Sequence, residues 1–199
     1  MMLIEETTVP DMALPVEDFK AHLRLGTGFG QDTTQDEVLA GFLRAAISAI
    51  EARTGKVLLE RVFSWTLNYW RDRDAQGLPV APVTQIMRVA TVDRSGTETD
   101  IDATAYWLAR DSQRPKLRSS GACLPVIPHG GSVVITFTAG FSSEWSGVPA
   151  DLKQAVFLLA AHYYEYRHET ALSDGCMPFG VTSLIERYKI MRLGTGGLR

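Results

Sequence analysis

Two periods of hydrophobic and polar residues alternate along this chain, and the points where the period changes divide it. From Pro149 to Glu169 the residues Ala155, Val156, Phe157, Leu158, Leu159, Ala160 and Ala161 run together, followed by Tyr163, Tyr164 and Tyr166. A surface helix shows one apolar stripe. This segment is apolar almost all round, which predicts a helix packed on several sides, partly by its own fold and partly by neighbouring copies. Pro149 suits its first turn, where a missing N–H costs nothing, and Asp151 complements the helix dipole. The segment is too short and too punctuated to span a bilayer.

Three further helices follow from spacing. Pro15–Leu25 places Val16, Phe19, Leu23 and Leu25 near one face. Thr34–Thr54 repeats Leu39, Phe42, Leu43, Ala46, Ile47 and Ile50 at three-and-four intervals, with Gly55 as a left-handed stop. Val181–Leu193 carries Leu184, Ile185, Tyr188 and Met191 along one side. Between the second helix and the apolar one the period drops to two. Odd positions from Leu59 to Tyr69 are apolar except Arg61, and even ones are polar except Val62, as in a half-buried strand. Further strands are predicted at Gln85–Val92, Ala103–Ala109, near Leu117 and at Ser132–Thr138, separated by turns. The fold class is therefore α+β, mainly α: a helical core with an inserted small antiparallel sheet and a C-terminal docking helix. Residues 15–193 make one domain, with helices at 15–25, 34–54, 149–169 and 181–193 and the β insertion at 57–140. An extended arm (1–14) precedes it and a flexible glycine-rich tail (194–199) follows.

Composition narrows the function. The chain is 45% hydrophobic and 22% charged, ordinary for a globular protein, and its net charge is −3. That balance argues against gripping nucleic acid through phosphates. Residues 1–56 hold nine acidic and five basic side chains, a local −4. From Ile185 to the end, Arg187, Lys189, Arg192 and Arg199 against Glu186 give +3. Such asymmetry is usually solvated surface, and it is also what head-to-tail contacts exploit. Cys123 and Cys176 make neither a disulfide framework nor a structural zinc site. The acidic start MMLIEETTVPD is no signal peptide.

The chemical motifs are weak. The glycines of Gly26-Thr27-Gly28-Phe29-Gly30 follow a helix and lack the Lys-Ser/Thr of a phosphate-binding loop. Glu165 and His168 have the spacing of a helical di-iron ligand pair, but no second pair accompanies them. His162 sits among aromatics with no nucleophile motif nearby. Ser142 and Ser143 lack an elbow motif, and Cys176 lies outside any thiol-protease signature. Trp65, Tyr69, Trp70, Tyr106 and Trp107 could stack on bases, but cross-strand packing is the stronger expectation.

Several pieces, in order, resemble one family. They are His22-Leu23-Arg24-Leu25; Ile50-Glu51-Ala52-Arg53-Thr54-Gly55; the aromatic strand after it; Thr138-Ala139-Gly140-Phe141; Val148-Pro149-Ala150-Asp151-Leu152-Lys153; Ala161-His162-Tyr163-Tyr164-Glu165-Tyr166-Arg167; and Pro178-Phe179-Gly180-Val181 with Leu184. Over residues 14–193 the chain resembles the head–tail connector, or adaptor, proteins of long-tailed phages and phage-like gene transfer agents. The resemblance implies a non-enzymatic, cofactor-free and metal-free subunit in the neck of a virion or phage-like particle, present in the host cytoplasm during assembly. It implies a dodecameric ring beneath the portal protein, bridging it to a stopper or tail-side neck protein. DNA would pass through the lumen without sequence-specific binding, and no membrane is involved. Portal docking maps onto the C-terminal helix and tail, here Leu184, Ile185, Tyr188, Met191, Arg192, Leu193 and Arg199. Subunit contacts are expected at Phe157, Tyr163, Tyr164 and Tyr166. The alternatives are another neck role, stopper or tail terminator, or a small metal-dependent enzyme using Glu165, His168 or Cys176.

Overall fold

A computed structural model describes residues 1–24, 34–167 and 177–189. Its helices are α1 (Val16–His22), α2 (Thr34–Thr54), α3 (Ala150–Glu165) and α4 (Phe179–Ile185), the last running into a 3-10 turn at Glu186–Tyr188. The α2 bounds are those expected from its periodicity. Its anticipated face is buried at Leu39, Leu43, Ala46, Ile47 and Ile50, and Phe42 is half-buried. Gly55 ends it at φ 67°, donating its N–H to Glu51 O. The expected first helix is shorter, since its chain turns at Leu23, and Leu25 lies outside the described residues. The expected final helix tightens after Ile185, and its predicted positions beyond Lys189 lie outside the described residues.

The helices share one core. Phe19 of α1, Leu39, Leu43 and Ile50 of α2, Leu152, Val156 and Leu159 of α3, and Val181 and Ile185 of α4 are buried together. Lys20 ties α1 to the first turn of α2, with its Nζ 2.6 Å from Asp36 and 2.9 Å from Glu17.

The β region is larger than the small insertion expected, and part of it comes from outside that insertion. A five-stranded antiparallel sheet has the order β1-β2-β8-β4-β5, built from β1 (Met2–Glu5), β2 (Arg61–Leu67), β4 (Val83–Val92), β5 (Glu98–Asp100) and β8 (Ser132–Ala139). A second sheet, β3-β7-β6, joins β3 (Ala75–Gly77), β7 (Lys116–Ser119) and β6 (Tyr106–Ala109). Ala103–Ala105, expected as strand, is a 3-10 turn capped by Asp102, whose carboxylate accepts the Thr104 N–H. An Asx-type cap offers the backbone an alternative to the ladder.

Strict alternation produces the central pair. In β2 and β8 every second residue is buried, and the register sets Phe63 opposite Phe137 and Trp65 opposite Ile135. The two phenylalanine rings stack at 5.8 Å. These residues, with Leu67, Val89, Val133 and Leu117 of the second sheet, form a second apolar cluster.

Gly140, in the Thr-Ala-Gly-Phe segment, joins the two halves. Its φ is 148°, and a Cβ there would lie 2.4 Å from Glu60 Cα. Only glycine lets the end of β8 cross the backbone at Leu59–Glu60 and turn toward α3.

Candidate functional site

The first turn of α3 organises the C-terminal segment. Asp151 accepts the Leu152 N–H at 3.0 Å and the Tyr188 hydroxyl at 2.8 Å, and its other oxygen lies 2.9 Å from Arg187 Nε. Arg187 also donates to Tyr188 Oη at 2.6 Å. The Tyr188 ring packs edge-on against Phe141, and burial above all pushes its hydroxyl above the usual tyrosine range. Two of the residues expected to dock a portal therefore point inward: Ile185 and Tyr188 are buried in the subunit's own core, while Leu184 is half-buried. Met191, Arg192, Leu193 and Arg199 lie outside the described residues.

The four aromatics of α3 expected at subunit contacts are mostly shielded by the subunit itself. Phe157 is half-buried, its ring 5.9 Å from Phe19, 5.5 Å from His22 and 5.6 Å from Trp145. Tyr164 meets Phe42 edge-on at 6.0 Å and lies under the Arg167 guanidinium. Tyr163 is half-buried against the helical core. Tyr166, 41% exposed, is the open one, with His162 at 4.6 Å. The helix that reads as apolar all round thus keeps only its last turn and one flank for partners.

Other apolar surface was not anticipated. Met12 is 99% exposed and Phe179 88% exposed, and β1 shows Met2, Leu3 and Ile4 along one sheet edge. Met12 stands at the rim of a cleft of about 850 Å³, lined also by Leu14, Asp18, Trp145, Lys153 and Phe157. Its walls come from the arm, α1, the 143–146 loop and α3. A single exposed Met carries no sequence signal, because the pattern of the arm does not say what faces it.

The arm is fastened by charge. Arg61, the exception in the apolar phase of β2, is 7% exposed. It reaches Glu5 of β1 at 2.9 Å and Glu51 of α2 at 2.5 Å. Glu51 also accepts the Leu58 N–H at 2.7 Å. Burial pushes the Glu51 carboxyl above the ordinary glutamate value, with Arg61 and the Leu58 N–H opposing that shift. A buried guanidinium needs such partners, since unpaired it would be costly.

Among the described residues no group of three or more His, Cys, Asp or Glu could hold a metal ion, and no helix is long and apolar enough to cross a membrane. Glu165 is exposed, whereas His168 and Cys176 lie outside the described residues. The aromatics of the β region share no single platform. Trp65 is buried in the core, Trp70 donates to Pro125 O at 2.7 Å, and Tyr69 and Trp107 are exposed.

No family model and no curated protein is similar to the chain. Solved structures are. A chain in the neck of an empty gene transfer agent (GTA) particle, computed with C6 symmetry, is 52% identical over 99% of both chains, with a TM-score of 0.89. A chain in the virion of a native GTA particle is also 52% identical over 99% of both, at 0.87. One in the neck of a native GTA particle, computed with C12 symmetry, is 49% identical over 99% of both, at 0.85. Identity at about half of all positions, held from arm to tail with the same fold, shows that the chain belongs to the family of phage-like neck proteins found in gene transfer agent particles.

Proposed function

We propose that this chain is the head–tail adaptor of its particle, forming a ring that joins the portal to the stopper or tail and lets DNA through. The observation that carries this reading is the near-complete match to chains in GTA necks. A ring of twelve is compatible with both symmetries under which those necks were computed, because sixfold symmetry is contained in twelvefold. Head-to-tail contacts close into such a ring when the rotation per subunit is right. A net charge of −3 suits a channel that DNA must traverse without sticking.

Docking to the portal is assigned to the segment from Val181 onward. Ile185 and Tyr188 anchor it to α3 from inside, and Leu184, Met191, Arg192, Leu193 and Arg199 carry the contact. The test is deletion of the gene in a producing strain, followed by electron microscopy. Filled heads without tails, restored by complementation, are the expected result. Normally tailed particles would refute the adaptor role.

A further inference from the structure

The second sheet has two faces. Tyr106, Leu108 and Leu117 face the apolar cluster, so Trp107, Ala109, Lys116 and Arg118 form the outer face, with Trp107 paired to Arg118 and Ala109 to Lys116. Trp107 is 49% exposed. Among the described residues neither Lys116 nor Arg118 has an acidic partner, and Arg110 donates only to Thr84 O. Of the carboxylates near them, Asp111 accepts the Gln113 and Arg114 N–H groups, and Asp74, whose carbonyl accepts the Ser119 N–H, forms no ion pair with either cation among the described residues. An exposed tryptophan flanked by unpaired cations is the composition of an interface anchor.

The cleft beneath Met12 is its complement. Its walls are apolar at Met12, Leu14, Trp145 and Phe157. Its acidic members are Asp18 and Glu144, which are exposed and form no ion pair among the described residues. Lys153, its one cation, is bonded to Ser146 O. At about 850 Å³ the cleft is large enough for an indole.

We propose that Trp107 of one copy seats in the Met12–Phe157 cleft of the next, with Arg118 and Lys116 facing Asp18 and Glu144. The inference rests on the ring reading above. A cyclic ring needs two different, mutually complementary patches on every copy, and the outer sheet face and the cleft are such a pair. Duplex DNA does not fit the cleft, because Asp18 and Glu144 repel phosphate and stacked bases offer no face to Trp107.

The test uses assembled particles. The chain carries Cys123→Ser and Cys176→Ser, with Asp18→Cys and Lys116→Cys added, and particles are treated with a short bismaleimide. A ladder of covalent multimers of this chain is expected in denaturing gels, absent from either single-cysteine variant and lost when Trp107→Ala is added. Particles with intact necks and no ladder would overturn the contact. So would cross-linking of the Lys116→Cys thiol to a different neck protein. Particles that lack this chain altogether would overturn both the contact and the adaptor reading.

Discussion

Replacing Glu51 by alanine tests what holds the arm and the two halves of the subunit together. The carboxylate is 15% exposed and its Arg61 partner 7%, so solvent screens little of their attraction. Removing one member of a buried ion pair costs about 3–5 kcal/mol, because the other charge stays buried and underpaired. The Leu58 N–H loses its acceptor in the same step. For a chain of this length each kcal/mol moves the melting temperature by about 2–4 °C, so Glu51→Ala should melt about 6–20 °C lower. Glu51→Leu with Arg61→Met removes both charges and leaves mainly the orphaned Leu58 N–H, a cost of about 1–3 kcal/mol. The double variant should therefore be more stable than Glu51→Ala alone. Glu5 is 38% exposed, so Glu5→Ala should cost under about 1 kcal/mol. It should still release β1, visible as faster amide exchange at Met2 and Ile4. Urea or thermal denaturation of the subunit reads all three. A Glu51→Ala loss below about 1 kcal/mol, or strictly additive effects, would refute the account.

The same group sets a pH dependence. The folded Glu51 carboxyl takes up its proton at a higher pH than the unfolded one. Its proton uptake therefore favours the fold, fully so below the ordinary glutamate value, and that gain is lost as pH rises through the raised folded value. Glu51→Gln should flatten the stability curve between the ordinary glutamate value and the raised folded one.

Gly140→Ala forces a Cβ to within 2.4 Å of Glu60 Cα at a φ of 148°, and should cost about 1–3 kcal/mol in denaturation. Wild-type stability would mean the crossing is looser than described. Phe157→Asp places a carboxylate among Phe19, His22 and Trp145, and should lose about 2–3 kcal/mol and fail to enter rings. A stable, ring-competent variant would show the helix to be misplaced. Deleting Leu193–Arg199 should leave the melting curve unchanged and weaken portal capture in a pull-down, and unchanged capture would count against tail docking.

What the sequence disclosed follows the range of each interaction. The bounds of α2, the alternation of β2 and the presence of β8 depend on residues a few positions apart, and all were legible. Arg61 was visible only as an anomaly in the apolar phase. Its partners Glu5 and Glu51 lie 56 and 10 positions away on other elements, and nothing local names them. The arm looked merely extended for the same reason: its pairing with β2 is a long-range event, fixed by Glu6 N–H to Val62 O and by Thr7 Oγ1 accepting the Val62 N–H.

The apolar helix shows how burial can be legible while its source is not. Periodicity says that Phe157, Tyr163 and Tyr164 must be covered, and they are, largely by Phe19, Trp145 and Phe42 of the same subunit. Copies of the chain need cover less of α3 than its composition suggests. Apolar surface left open lies elsewhere: on the arm at Met12, at the β1 edge, at Trp107 and at Phe179 of α4. An exposed hydrophobic edge strand invites pairing and aggregation unless an assembly covers it. Most of the large apolar side chains left open are therefore on the arm and the β region, and the helical core is the frame that presents them.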